Sequence, residues 1–176
     1  MYPRSAEGID RLKLWQSENS GASATQIEDE LRSIQTFAAL KPAYKILIFI
    51  AGNFDGTTLT ALNSNVTTQT TIMKAMSKTP AQQRQLIAAF EWFFGTLKAD
   101  LAKFFPAILK KLFEEDIVEE DVFLDWYQDS LRNDDTIPLV ADDVLESLKT
   151  SARPFYEWLQ DAEDDSSEDG DAEEDD

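Results

Sequence analysis

In two stretches near the C-terminus of this 176-residue chain, bulky aromatic residues alternate with closely spaced acidic residues. The first acidic box runs from Phe113 to Tyr127, and the second acidic box runs from Pro154 to Asp176. Aromatic rings can anchor a surface in the core while the carboxylates between them stay in water. Such a surface attracts ammonium and guanidinium groups, so the pattern predicts a folded acidic face that binds a basic partner.

Dense carboxylates also allow other interpretations. Two of them can act as acid and base in glycoside hydrolysis, but that chemistry needs an apolar pocket that raises the pKa of one carboxyl group. The acids here lie in solvated runs, so we do not expect catalysis. An ordinary solvated surface is the remaining alternative, and the charges alone do not decide between it and a binding surface.

The composition excludes several classes of site. The chain has no Cys and no His, which removes disulfides, thiol nucleophiles, Ser-His-Asp catalysis and Cys/His zinc sites. The acidic runs lack the spacing of an EF-hand loop, so we expect no bound metal and no other cofactor.

The charge balance argues against two kinds of partner. The net charge is -18, and eleven of the 34 acidic residues lie from Asp161 onward. Nucleic acids and anionic membranes both require a concentrated positive face, so we expect neither as a direct partner. No apolar run approaches the ~20 residues of a membrane span, and the start lacks the apolar core of a signal peptide. We expect a cytoplasmic monomer.

Helical periodicity with capping and turn signals predicts an all-α domain over residues 25–162. Residues 1–24 include the small, polar stretch QSENSGASA and are expected to be a flexible lead-in. Residues 163–176 are expected to be a disordered acidic tail. Thr25 and Glu28 have capping-box spacing and predict the first helix start. The apolar segment after Pro42 is interpreted as a buried helix, because no second β-rich segment could pair with it as a strand. The threonine-rich stretch before Met76 keeps a helical rhythm.

Prolines, a glycine and acidic residues mark the expected helix boundaries in the second half of the chain. Pro80 and Pro106 each occupy a position that suits the first turn of a helix. Gly95 is expected to end or bend the helix between them, and the acids near Glu119 favour another helix start. Pro154 is expected to kink or restart the last helix. The polar segment 133–138 is interpreted as a link. Short helices with broad apolar faces indicate stacked pairs, a solenoid or an irregular bundle.

Two further groups of residues have alternative interpretations. Four aromatic side chains of the boxes are expected to be structural, since aromatics dominate cores: Phe123, Trp126, Phe155 and Trp158. Four lysines just before the first acidic box are either ordinary surface lysines or a second, basic face: Lys98, Lys103, Lys110 and Lys111.

The segments FEEDIVEEDVFLDW and ARPFYEWLQDAEDDSSED resemble the aromatic and acidic boxes of a known family. That family is the C-terminal domain of eukaryotic translation initiation factor five, shared with the epsilon subunit of the exchange factor for initiation factor two and with the factor-five mimic proteins. The resemblance is specific over residues 106–168. It implies an atypical HEAT-like stack of short antiparallel helices.

The same resemblance implies a function in assembly. The boxes of the family receive the lysine-rich segment of the beta subunit of initiation factor two, and other faces hold initiation factor one and a subunit of initiation factor three. The acids of this chain that match the boxes are therefore the expected partner-binding residues: Glu114, Glu115, Asp116, Glu119, Glu120, Asp121, Glu157, Asp161, Glu163, Asp164 and Asp165.

The resemblance also has limits. Factor five carries an N-terminal zinc-bearing domain with an arginine finger, and this chain has no counterpart of it, so we expect the C-terminal domain alone and no GTPase activation. The alternative is the exchange-factor epsilon subunit, where the same fold releases GDP. Factor five is preferred because ARPFYEWL resembles it better. Ser166 and Ser167 precede further acids and are either kinase sites or solubilising spacers.

Overall fold

The computed structural model describes residues 3–128 and 140–167, and within these ranges the chain is all-α, as predicted. A π-helical segment, Phe93–Leu97, and a 3-10 segment, Ala99–Phe104, lie between α5 and α6. None of the helices in the described ranges is long and apolar enough to cross a membrane. The predicted link at 133–138 lies outside the described residues. The helices are α1 Pro3–Glu18, α2 Ala24–Phe37, α3 Tyr44–Asn53, α4 Leu59–Met76, α5 Pro80–Trp92, α6 Phe105–Glu114, α7 Glu120–Gln128 and α8 Asp142–Ser167.

A side-chain cap sets the start of α2. The hydroxyl of Ser23 accepts a hydrogen bond from the backbone N–H of Gln26 at 3.2 Å, and the Gln26 side chain accepts one from the Ser23 N–H at 2.8 Å. The predicted capping box at Thr25 and Glu28 is therefore wrong by two residues. Gln serves as well as Glu at the third helical position, so the earlier serine provides the cap.

The predicted start of α5 and the predicted helix α4 are confirmed. Thr79 forms a second capping box with Gln82, and Pro80 is the first helical residue. The threonine-rich segment forms α4 and buries Leu62 and Val66. Threonine is only a mediocre helix former, so this helix depends on its buried apolar side chains.

Helix α3 occupies the centre of the fold, in contact with α1, α2, α4 and α5. Ile48, Phe49 and Ile50 have no exposed surface, and Ile46 and Leu47 are at most 4% exposed. A helix that is apolar on all sides is buried, which explains why KILIFI is a helix without a sheet partner.

Aromatic rings continue from this centre toward the first acidic box. Contacts between Phe54 and Phe90, and among the rings that follow, are mostly edge-to-face with centroids 5.0–6.4 Å apart. Each such pair contributes about 0.5–1.5 kcal/mol beyond its buried area. The series reaches the first acidic box where Phe105 of α6 meets Trp126 of α7 at 5.9 Å.

The N-terminal residues form a docked helix, so the predicted flexible lead-in over residues 1–24 is wrong for Pro3–Glu18. Ile9 and Leu12 of α1 are buried, and the Arg11 side chain donates to Glu30 of α2 at 3.1 Å. A Cβ on Gly8 would lie 3.0 Å from side-chain atoms of α2 and α3. The absence of a side chain at Gly8 thus lets α1 approach α2 and α3 closely, and this close packing buries the narrow apolar stripe of α1.

Gly95 lies in the π-helical segment, where the helix was expected to end or bend. A Cβ at this position would lie 2.7 Å from Cγ1 of Val144 and 3.2 Å from Cγ1 of Val140. The absent side chain therefore lets the start of α8 pack directly on this segment.

Helix α8 runs through Pro154 without interruption, which contradicts the predicted restart. Proline removes one backbone hydrogen bond to the residue four positions earlier, here Thr150. Both residues are exposed, so water can bind the freed carbonyl.

The helix also passes the predicted boundary at Ala162 and ends at Ser167. The side chains of residues 161–165 are all exposed, so this extension of the helix buries no apolar surface.

Candidate functional site

The first acidic box spans the end of α6, a turn and all of α7. Asp116 adopts a left-handed conformation with φ of 55° in the turn, which aspartate tolerates better than most residues. The backbone N–H of Glu119 donates to the side-chain oxygen of Gln83 at 2.9 Å, and Gln83 is buried in α5. The start of the α7 segment is thereby attached to the core.

Ring contacts join the two acidic boxes side by side. Each contact pairs an aromatic residue of the first box with one of α8 in the second. The Tyr127 and Tyr156 rings stack with their planes 14° apart, while the other two pairs are edge-to-face. The pairs and their centroid distances are Phe113 with Trp158 at 5.7 Å, Phe123 with Phe155 at 5.1 Å, and Tyr127 with Tyr156 at 3.9 Å.

The carboxylates predicted to bind a partner lie on the same two segments as these rings, from the end of α6 through α7 and along the C-terminal half of α8, and we call this surface the acidic face. Two of them, Glu115 and Glu120, are half-buried. The other nine are exposed, as binding of a soluble partner requires: Glu114, Asp116, Glu119, Asp121, Glu157, Asp161, Glu163, Asp164 and Asp165.

Glu120 of the first box and Glu163 of the second repel each other across the acidic face. Glu163 continues the i, i+4 series of the buried residues Phe155 and Leu159, so it points back toward α7. Burial raises the pKa of Glu120, and the charges of Glu163 and Asp121 raise it further. Its Oε1 atom is buried without a hydrogen-bond partner among the described residues. A cation placed here would relieve both the repulsion and the missing contact.

The four lysines for which ordinary surface positions and a second, basic face were the alternatives have different surroundings. The ammonium of Lys110 lies 3.9 Å from Glu114, and that of Lys111 lies 2.7 Å from Glu115. These two lysines therefore belong to the acidic face, because α6 places them one turn before its acids. Lys103 instead lies over the ring of Phe104, at 5.1 Å from its centroid. Lys98 lines a surface cavity of about 300 Å³ together with residues of α1.

Three of the four aromatics expected to be structural are buried: Phe123, Trp126 and Phe155 are at most 6% exposed. Trp158 is 43% exposed, so the interpretation as a core residue is wrong for it. The buried stripe of α8 follows Ala152, Phe155 and Leu159, and position 158 falls beside that stripe rather than on it.

A buried polar cluster under the first box was not predicted from the sequence. Glu91 is fully buried, and its Oε1 accepts a hydrogen bond from the indole N–H of Trp126 and one from Arg84 at 3.4 Å. Burial raises the pKa of Glu91, while Arg84, Trp126 and Lys149 act in the opposite direction. The available signal was a single acid inside the apolar run AAFEWFFG.

Comparison with known proteins identifies a family for this chain. The protein-family model described as "W2: eIF4-gamma/eIF5/eIF2-epsilon" matches residues 82–169, which is half of the chain. The matched region begins in α5 and includes all the carboxylates of the acidic face.

Curated relatives are initiation factors. Eukaryotic translation initiation factor 5 of Zea mays is 37% identical over 91 residues, which cover 52% of this chain and 18% of the relative. The factor of the same name from Saccharomyces cerevisiae is 29% identical over 93 residues, covering 53% of this chain and 22% of the relative. The chain thus spans about a fifth of the length of these relatives.

A solved structure has the same fold. The C-terminal domain of translation initiation factor 5 at low pH superposes with a TM-score of 0.59 at 22% identity, covering 93% of this chain and 97% of that one. This likeness confirms the predicted fold class. The chain therefore belongs to the W2 family of eIF4-gamma, eIF5 and eIF2-epsilon, and it is a translation initiation factor domain similar to the C-terminal domain of factor 5.

Proposed function

We propose that this chain is a non-catalytic assembly module of translation initiation, and that the acidic face binds a lysine-rich protein segment. The observation that carries the proposal is the convergence of two separate acidic boxes on one surface. Aromatic pairs hold the boxes together, and the two boxes carry nine exposed carboxylates.

The charge distribution supports a flexible basic segment as the ligand. Exposed carboxylates attract an oppositely charged chain over about a Debye length, ~8–10 Å at moderate salt, which speeds association. Lysine side chains are long and carry compact charges, so they can reach carboxylates on both α7 and α8 without a preformed pocket. Binding of this kind weakens as salt increases.

The resemblance to factor 5 suggests which proteins supply such a segment. The lysine-rich segment of the beta subunit of initiation factor two is the proposed ligand of the acidic face, and initiation factor one and a subunit of initiation factor three are proposed for other faces. We propose that the domain acts as a cytoplasmic monomer, with no direct role for nucleic acid or membrane.

Charge reversal tests the proposal. Glu119→Lys with Asp121→Lys changes two exposed residues of the acidic face, and it should weaken binding of a lysine-rich peptide mainly through slower association. The matched control, Asp10→Lys with Glu18→Lys, makes the same change in net charge on exposed positions of α1. Equal loss in both variants, or no loss in the first at low salt, would contradict a localised site.

A separate assay addresses the alternative function, nucleotide exchange. The domain is mixed with initiation factor two loaded with labelled GDP, and GDP release is followed over time. We expect the rate to remain at its spontaneous value. Acceleration by the domain would assign it to the exchange-catalyst class instead.

A further inference from the structure

An ammonium group of the chain itself lies on the acidic face. Lys110 Nζ is 5.0 Å from the centroid of the Trp158 ring and 3.9 Å from Oε1 of Glu114. This combination of an indole face and a carboxylate is favourable for a lysine side chain. The Trp158 ring and the Glu114 carboxylate are therefore already in contact with one ammonium group, that of Lys110.

Trp158 is held as a rigid platform although it is half exposed. Phe113 meets its ring edge-to-face at 5.7 Å, and Phe155 stacks against it at 6.2 Å. Phe155 is buried, so the platform rests on the core. An exposed aromatic ring that is fixed in this way loses little entropy when a ligand covers it.

The ion pair between Lys110 and Glu114 is weak. Its side chain and that of Glu114 are each about half exposed, at 50% and 52%, and exposed ion pairs contribute little to stability. The lysine also precedes the glutamate by four residues, which is the less favourable order within a helix. Lys110 can therefore be displaced without a large cost to the fold.

We propose that Trp158 and Glu114 form an ammonium subsite within the acidic face, that Lys110 occupies it in the unbound protein, and that a lysine of the bound segment replaces Lys110. This inference rests on the proposed function and specifies how the ligand is recognised. Lys110 acts as an internal competitor that lowers the affinity for any lysine-rich segment.

Removal of the competitor tests the subsite. Lys110→Gln should bind a lysine-rich peptide about two- to fivefold more tightly, the equivalent of freeing one exposed cation–π contact. Lys103→Gln is the matched control, because it removes the same charge from a lysine that lies over Phe104 and forms no ion pair with an acid among the described residues. It should tighten binding less. In a Trp158→Leu background, the gain from Lys110→Gln should fall to about that of the Lys103→Gln control.

Nuclear magnetic resonance of the full chain gives a second readout. The ε-methylene protons of Lys110 should be shifted upfield by the Trp158 ring in the free protein, and peptide addition should return them toward ordinary values. Equal gains for the two glutamine variants, or Lys110 protons that do not respond to bound peptide, would overturn the subsite and leave the proposed function intact. Absence of peptide binding to the parent and to both variants would overturn the two together.

Discussion

The indole N–H of Trp126 donates a hydrogen bond to Oε1 of Glu91, across 35 residues of sequence. Both side chains are buried, with Trp126 at 1% and Glu91 at 0% exposure. The contact fixes the first acidic box to α5, so Trp126 is a buried anchor of that box. Trp158 of the second acidic box is instead an exposed platform.

The two tryptophans should therefore respond differently to truncation. Trp126→Ala should lower the free energy of unfolding by roughly 3–5 kcal/mol, the range for large aromatics removed from cores. Trp158→Ala should cost clearly less, because its ring is 43% exposed, but it should weaken peptide binding. Urea denaturation and peptide titration of both variants measure these effects. A Trp126→Ala protein that is as stable as the parent would contradict the anchor role.

Glu91 should make stability depend on pH in a distinctive direction. Burial raises its pKa in the folded state above the ordinary 4.5, so the folded state holds a proton that the unfolded state releases as pH rises above 4.5. This contribution to stability is largest at low pH and is lost as pH increases toward the raised pKa. Glu91→Gln keeps an acceptor for Trp126 and should remove that contribution. Denaturation of both proteins from pH 4 to 8 tests this, and parallel curves would refute it.

Glu120 should show a conflict between stability and binding. Its raised pKa arises from burial and from repulsion by Glu163 and Asp121, so the charged form destabilises the fold at neutral pH. Glu120→Gln should therefore increase the melting temperature at pH 7 while weakening peptide binding by up to about fivefold, the size of one exposed ion pair. Glu157→Gln, which changes an exposed acid of α8, serves as the control. It should leave the melting temperature nearly unchanged, and a gain equal to that of Glu120→Gln would refute the argument.

Gly95→Ala should loosen α8 from the π-helical segment. The new Cβ would lie 2.7 Å from Cγ1 of Val144, and overpacking of this kind costs about 1–3 kcal/mol. Adding Val144→Ala should recover part of that loss, as judged by urea denaturation. Thr96→Ala, at the exposed neighbouring position, is the control. A Gly95→Ala protein with parental stability would mean that the packing can adjust freely.

Local signals were sufficient for most of the helices. Pro80 marks a helix start through its fixed φ angle, and the all-apolar segment of α3 needs only the absence of a β partner to be identified as a buried helix. The start of α1 was missed because its apolar stripe is narrow and interrupted by polar residues. Its burial depends on the close approach at Gly8, which involves residues of α2 and α3 distant in sequence.

The acidic face was only partly predictable for the same reason. Runs of carboxylates are rarely buried, so their exposure follows from composition. Trp126 and Trp158 have similar sequence contexts. Only the packing of α7 and α8 on the core makes the first buried and the second exposed. The contact of Lys110 with Trp158 joins residues on different helices, and no spacing rule within one helix indicates it.

The most direct test of the central claim is a chemical-shift map of the domain during titration with a lysine-rich peptide. If the two acidic boxes form one binding surface, backbone amides from Glu114 to Asp121 and from Phe155 to Asp165 should shift together and follow a single dissociation constant. Shifts confined to one box, two different dissociation constants, or a response centred on α1 and α2 would contradict a shared acidic face.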